Sequence, residues 1–228
     1  SDLLVLFARV NALNAAYSDP ITELPTYSYL LHIYESELKD TFLKQGEQLW
    51  FVLFKTTDTS TISGVYGHKV ISAAYKNFIA RVEQYLATDG HALAIPLPED
   101  KSGYIVSMPD GQMMFIGKTR SNTQEPILAF VKELNKPLAI ADSYANLHVS
   151  LGLATIVEQK GEVDNSLGES YRCSQVALNR AISLGQEIVF YSKTYDEENQ
   201  YAVDLLKDIV LAIESREFTF HIQPQYDF

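Results

Sequence analysis

Few residues in this sequence stand where they could do chemistry. The stretch GYIVSMPDGQMMFIGKT, Gly103 to Thr119, has two runs of β-branched, aromatic and long apolar residues around Pro-Asp-Gly, the pattern of a β-hairpin. Such a turn could carry catalytic acids. Asp110 is the only acid between Asp100 and Glu125, and Gln112, Met113 and Met114 follow it where further acids would be needed. Asp58, close to Lys55, could serve as a shifted metal ligand, but its place at a strand end fits an ordinary surface carboxylate better. His68 follows a glycine at a helix start and reads as a capping or packing residue. Cys173 has no His or acid partner nearby in sequence and reads as a small core side chain.

The elements that must position these residues alternate along the chain. Helix signals cover 3–17, 26–44, 67–88, 124–135, 167–184 and 200–215. Strand signals cover 49–55, 103–108, 112–118, 138–142, 147–156, 187–192 and 217–223. Asn122 and Thr123 can cap the fourth helix, with Pro126 in its first turn. The alternation predicts an α/β fold, a mixed central sheet covered by helices. The polar run TYDEENQ, Thr194 to Gln200, reads as a linker between the main body and a C-terminal helix and strand. The expected domains are a signalling or stalk helix at 1–17, a main domain at 18–193, and a linker with the start of another domain at 194–228.

Composition narrows the function classes. The 228 residues are 46% hydrophobic and 21% charged, the profile of a globular domain with a sizeable core. A net charge of −11 argues against general nucleic-acid binding, which needs clustered Lys and Arg. The 14 tyrosines are scattered rather than striped, so they form no base-stacking platform. No apolar run reaches the length of roughly 18 residues that a membrane span needs. A single cysteine cannot make an internal disulfide, which suits a reducing compartment.

Several motifs carry a resemblance. The segment SDPITELPTYSYL, Ser18 to Leu30, resembles the D-x-L-T-G-L-P-N-R signature that opens the GGDEF domain of bacterial diguanylate cyclases. Tyr66-Gly67-His68 is similar to the family's Y-G-H after its first strand, and the 103–119 hairpin stands where the GGDEF turn belongs. His148 to Ala154 resembles the strand with a Ser-x-Gly core, and Ala177-Leu178, Ala181 and Gly185 fit the A-L-Y-x-A-K-x-x-G helix. These landmarks occur in order over residues 15–192. The tail from Asp204 to Phe228 resembles the opening of an EAL domain, the cyclic di-GMP phosphodiesterase module. The resemblance implies a GGDEF/nucleotide-cyclase-like fold with a ferredoxin-like core and added elements. It also implies a piece of a GGDEF–EAL tandem protein, ending after the first EAL strand.

Diguanylate cyclases join two GTP molecules with the help of divalent metal, and Mg²⁺ needs carboxylate and phosphate oxygens. Carried onto this chain, the metal-binding Asp of the first strand falls on Lys55 and the second Asp on Thr57. The guanine-reading positions fall on Ser63, Gly64 and Ser72. The GGDEF turn becomes Pro109-Asp110-Gly111-Gln112-Met113, or the same motif one residue later and ending at Met114, so the acid pair is Gly111-Gln112 or Gln112-Met113. The phosphate-contacting Lys and Arg fall on Ile182 and Gln186. An inhibitory R-x-x-D site would begin at Asp100 or Lys101 and end on Gly103 or Tyr104, so it too is missing.

The resemblance therefore implies a GGDEF domain with a dismantled site: no catalytic residue, no metal, no bound nucleotide and no cofactor, where the family uses Mg²⁺ with GTP. The expected role is signal relay in cyclic di-GMP signalling, controlling an adjacent EAL domain. The alternatives are a GTP-binding sensor for that phosphodiesterase and, least favoured, an active cyclase. Expected partners are the EAL domain and a second copy through the N-terminal helix, with no nucleic acid and no direct membrane contact. A bacterial cytoplasmic location is expected, with an upstream inner-membrane anchor left open.

Overall fold

The run QLWFVLFKT forms strand β1, Gln48–Thr56, and it is apolar on both faces because both faces are covered. The computed structural model describes residues 17–34, 48–56, 64, 67–119, 125–140, 143–156 and 164–219. Helix α1 (Tyr27–Ile33) precedes β1. After it come α2 (His68–Asp89), β2 (Ile95–Leu97), β3 (Lys101–Gly103), β4 (Val106–Met108) and β5 (Gln112–Thr119). Helix α3 (Glu125–Leu134), β6 (Leu138–Ile140), β7 (Ser143–Ala145), β8 (Val149–Ile156), α4 (Asp164–Leu184), β9 (Ile188–Phe190) and α5 (Lys193–Glu214) complete the chain.

The central sheet has the order β4-β5-β1-β8-β9. β1 is antiparallel to β5 and β8, while β8 and β9 run parallel and are joined through helix α4, as a parallel pair requires. This is the predicted mixed α/β arrangement. Period-2 alternation splits the strands between two cores. Val52, Phe54, Met113, Phe115, Leu151 and Leu153 face α2 and α3, meeting Phe78, Val82, Phe130 and Leu134. Phe51, Leu53, Met114 and Ile116 face the other way, meeting Leu30 and Ile33 of α1 and Leu167 and Leu178 of α4.

The described part of the predicted 26–44 helix is α1, and of the 3–17 helix only Tyr17 is described. The predicted strand 103–108 is two strands, β3 and β4, broken at Tyr104 and Ile105. The helix expected at 200–215 begins earlier, since α5 is helical from Lys193 and takes in the polar run Thr194 to Gln200. Polarity alone does not break a helix. This run has neither Gly nor Pro, and Asp196 in the first turn suits the helix dipole. Glu217, Phe218 and Thr219 form no strand, and the rest of the predicted 217–223 strand lies outside the described residues. The chain divides into two units between Tyr191 and Ser192. No residue of α5 is buried, and Leu205, Leu206, Ile209, Val210 and Ile213 expose apolar surface along it. Among the described residues, no helix is long and apolar enough to cross a membrane.

Candidate functional site

The hairpin closes through a single 3-10 turn, Pro109–Gly111, with Met108 paired to Gln112, Ser107 to Met113 and Val106 to Met114. Asp110 (φ 59°) and Gly111 (φ 67°) both take the left-handed conformation, which Asp tolerates and Gly adopts without strain. Pro109, Asp110 and Gly111 are exposed, whereas Gln112, Met113 and Met114 are buried at 5%, 1% and 0% exposure. The methionines are core side chains on opposite faces of the sheet, and no Met-rich surface exists here.

Register decides what surrounds the turn. Lys55 pairs with Ser150 of β8, and the pairing of β1 with β5 ends where Phe54 meets Met113. Continuing that register by one step, just past the last paired residues, aligns Lys55 with Gln112. A row Met108–Gln112–Lys55–Ser150 thus crosses four strands at one end of the sheet, on the face that Phe51 and Leu53 share. The C-terminal end of α4 reaches the same end, because Leu151 N–H donates to Glu187 O at 2.8 Å, one residue past Gln186. Lys55, Gln112 and the Ile182–Gln186 turn thus lie toward the same end of the sheet. Ser72 is exposed on α2, Gly64 is exposed, and Ser63 and Thr57 lie outside the described residues, as does Asp58.

The donor set of this row is one ammonium, one amide and one hydroxyl. A divalent cation needs anionic oxygens, and an ammonium one strand away repels it, so these residues do not fit Mg²⁺. Among the described residues, no group of three or more His, Cys, Asp or Glu could hold a metal ion. Gln112 Oε1 is buried with no hydrogen-bond partner, a costly state for an amide. Lys55 is half-buried and Ser150 is 8% exposed.

Polar side chains around the row hold the scaffold together. Asp19 Oδ1 accepts from Ile21 N–H (3.0 Å), Thr22 N–H (2.7 Å) and Thr22 Oγ1 (2.8 Å), closing the turn that the D-x-L-T resemblance marks. Partial burial pushes the Asp19 carboxyl up, but the bonds from Thr22, Ile21 and the Ser107 hydroxyl outweigh it and bring it below its ordinary value. Tyr75 OH donates to Met113 Sδ at 3.9 Å and bonds Thr56, and burial raises its phenol. Asp100 ends an exposed turn and Lys101 opens β3, its side chain paired with Glu99 at 2.7 Å. The start of α2 at His68 follows Gly67 (φ 78°), while the His68 side chain lies outside the description. Cys173 is buried in α4 and burial raises its thiol, but the reading that it has no acid nearby is corrected: one helical turn back, Glu169 Oε1 accepts from its Sγ at 3.5 Å.

One polar group escaped the sequence reading. Glu83, on the core-facing side of α2, accepts from Tyr104 N–H (3.1 and 3.0 Å to its two oxygens) and Ile105 N–H (2.9 Å). Burial pushes its carboxyl up against the lowering effect of those bonds. It satisfies the two amides freed where β3 breaks from β4. A lone acid between Val82 and Leu86 on an apolar helix face was the available signal.

No family model matches the sequence, and no curated protein matches it. Among solved structures, the fold matches the isolated GGDEF domain of TpbB (also YfiN) from Pseudomonas aeruginosa, with TM-score 0.58, 15% identity, and coverage of 80% of this chain and 99% of that one. A diguanylate cyclase/phosphodiesterase structure from Caldicellulosiruptor saccharolyticus gives TM-score 0.59 at 14% identity, covering 78% and 96%. The coiled coil and GGDEF domain of DgcB from Caulobacter crescentus, solved with c-di-GMP, gives 0.54 at 13%, covering 83% and 93%. The chain has the fold of GGDEF domains.

Proposed function

We propose that this chain is a catalytically inactive GGDEF domain acting as a relay in cyclic di-GMP signalling, controlling an adjacent EAL domain. The observation that carries this reading is the row Gln112–Lys55–Ser150 standing where the resemblance calls for metal-binding acids. An ammonium and an amide cannot hold the divalent cation that must accompany a nucleoside triphosphate, while the scaffold around them is well packed. The solved structures sharing the fold are described as cyclase or GGDEF domains, one of them as a diguanylate cyclase/phosphodiesterase, which supports the signalling context. The exposed apolar residues of α5, Leu205 to Ile213, are the surface on which the adjacent module is expected to dock. Dimerisation through the N-terminal helix expected at 1–17 and a cytoplasmic location belong to the same proposal.

The deciding experiment incubates the purified chain with GTP and Mg²⁺ or Mn²⁺ and looks for cyclic di-GMP by chromatography. No product is expected, and turnover above that of heat-treated protein ends the reading. Calorimetry with millimolar GTP separates a silent relay from a nucleotide sensor, since heat that saturates would favour the sensor.

A further inference from the structure

The turn that brings the chain into the domain is bonded to the hairpin, 80 residues or more away in sequence. Thr26 N–H donates to Tyr17 O at 2.9 Å and Asp19 N–H to Leu24 O at 2.9 Å, which closes residues 17–26 on themselves. Pro25 O then accepts from Ser107 N–H at 2.8 Å, and Thr26 forms a parallel bridge with Ser107, so the turn extends the sheet beyond its edge strand β4. The Asp19 carboxylate holds Ile21 and Thr22, and it lies close enough to the Ser107 hydroxyl for that group to help keep it below its ordinary value. Ser107 pairs with Met113 across the hairpin and lies two residues before the 109–111 turn. On its other flank the hairpin arm is held by Glu83 through Tyr104 and Ile105.

We propose that the Tyr17–Thr26 turn is a coupling strap: displacement of the backbone at Tyr17 is carried through Pro25 and Asp19 to Ser107, and so to the hairpin. The physical basis is stiffness. Every link is a backbone hydrogen bond or a carboxylate bond between half-buried groups, and no long side chain intervenes to absorb movement. Such coupling has a reciprocal signature: loosening either end must loosen the other by the same factor. This device goes beyond the relay reading and stands or falls separately from it, because it concerns the folded chain and not what is signalled.

Native-state hydrogen exchange by NMR on the full chain tests it. Thr22→Ala removes a hydroxyl from the turn and leaves Ser107 untouched. The amides of residues 106–108 and 112–114 are expected to exchange about tenfold faster, equivalent to about 1.4 kcal/mol. Ser107→Ala is expected to speed Ile21, Thr22 and Thr26 by a similar factor, and Thr22→Ser to restore protection. Leu153 and Val189 in β8 and β9 should not change. The proposal is overturned if each substitution acts only on its own side, or if exchange rises uniformly through β8 and β9, which would mean a general loss of stability.

Discussion

Replacing Gly152 by alanine tests the packing that the whole site depends on. A Cβ on Gly152 would lie 2.2 Å from Ser174 O, 2.3 Å from Leu178 N and 2.7 Å from Leu178 Cα. Carbon atoms pack at about 3.5–4.0 Å, so α4 must withdraw from β8 by roughly 1 Å. All three opposing atoms are backbone, so no rotamer change can relieve the clash. Withdrawal opens the contacts of Ala177, Leu178 and Ala181, each at 0% exposure, and stretches the 3.0 Å bond from Ser174 Oγ to Phe51 O. Overpacking of this kind costs about 1–3 kcal/mol and the lost hydrogen bond about 1 more, giving a destabilisation of about 2–4 kcal/mol. For a unit of this size that corresponds to a fall in Tm of roughly 5–15 °C. Urea unfolding followed by far-ultraviolet circular dichroism measures it. Gly168→Ala in the same helix is the control, because nothing lies within 4 Å of its added methyl, and it should be neutral or stabilise by up to about 1 kcal/mol. A Gly152→Ala variant within about 0.5 kcal/mol of the parent would refute the close approach of α4 to β8.

Other substitutions probe the site and its supports. Glu83→Ala leaves the Tyr104 and Ile105 amides without an acceptor and should cost about 2–4 kcal/mol in urea unfolding. Because burial raises the Glu83 carboxyl above its ordinary value of 4.5, the fold binds this proton more tightly than the unfolded chain does. Its contribution is therefore full below that value and lost as pH rises through the folded pKa, and Glu83→Gln should flatten this part of the stability–pH curve. An unchanged curve would show that the carboxyl titrates as if in water. Arg81 donates to the carbonyls of Leu134, Lys136 and Pro137 at 3.4, 3.2 and 3.2 Å, closing the end of α3, so Arg81→Ala should lower stability by about 1–2 kcal/mol with amide exchange fastest around Leu134. The double variant Lys55→Asp/Gln112→Glu places two carboxylates side by side. Its melting temperature should rise with Mg²⁺ or Mn²⁺ while the parent's does not, and it should still make no cyclic di-GMP because Ser63, Gly64, Ser72, Ile182 and Gln186 are unchanged. An equal metal response in parent and variant would refute the charge argument at Lys55.

The sequence by itself determined the local elements of this protein. Apolar runs announce β1, β5 and β8, Pro109-Asp110-Gly111 announces the hairpin, and helix periodicity places α2, α3 and α4 within a few residues of their observed ends. Those signals are legible because they depend on neighbours in the chain: backbone conformation at a turn, and side-chain period along an element. Even local reading started α5 too late, because the polarity of Thr194 to Gln200 obscured a run where nothing prevents a helix. Tertiary structure alone decided the rest. The placing of Gln112 beside Lys55, of Lys55 beside Ser150, and of Ser107 against Pro25 follows from strand register, where a one-residue slip would send every side chain to the other face. The burial of Glu83, and the need for glycine at 152, arise only when elements distant in sequence come within van der Waals contact. Residue types told which chemistry was absent. Which groups stand together in its place is a property of pairing and packing, and no stretch of chain carries that information alone.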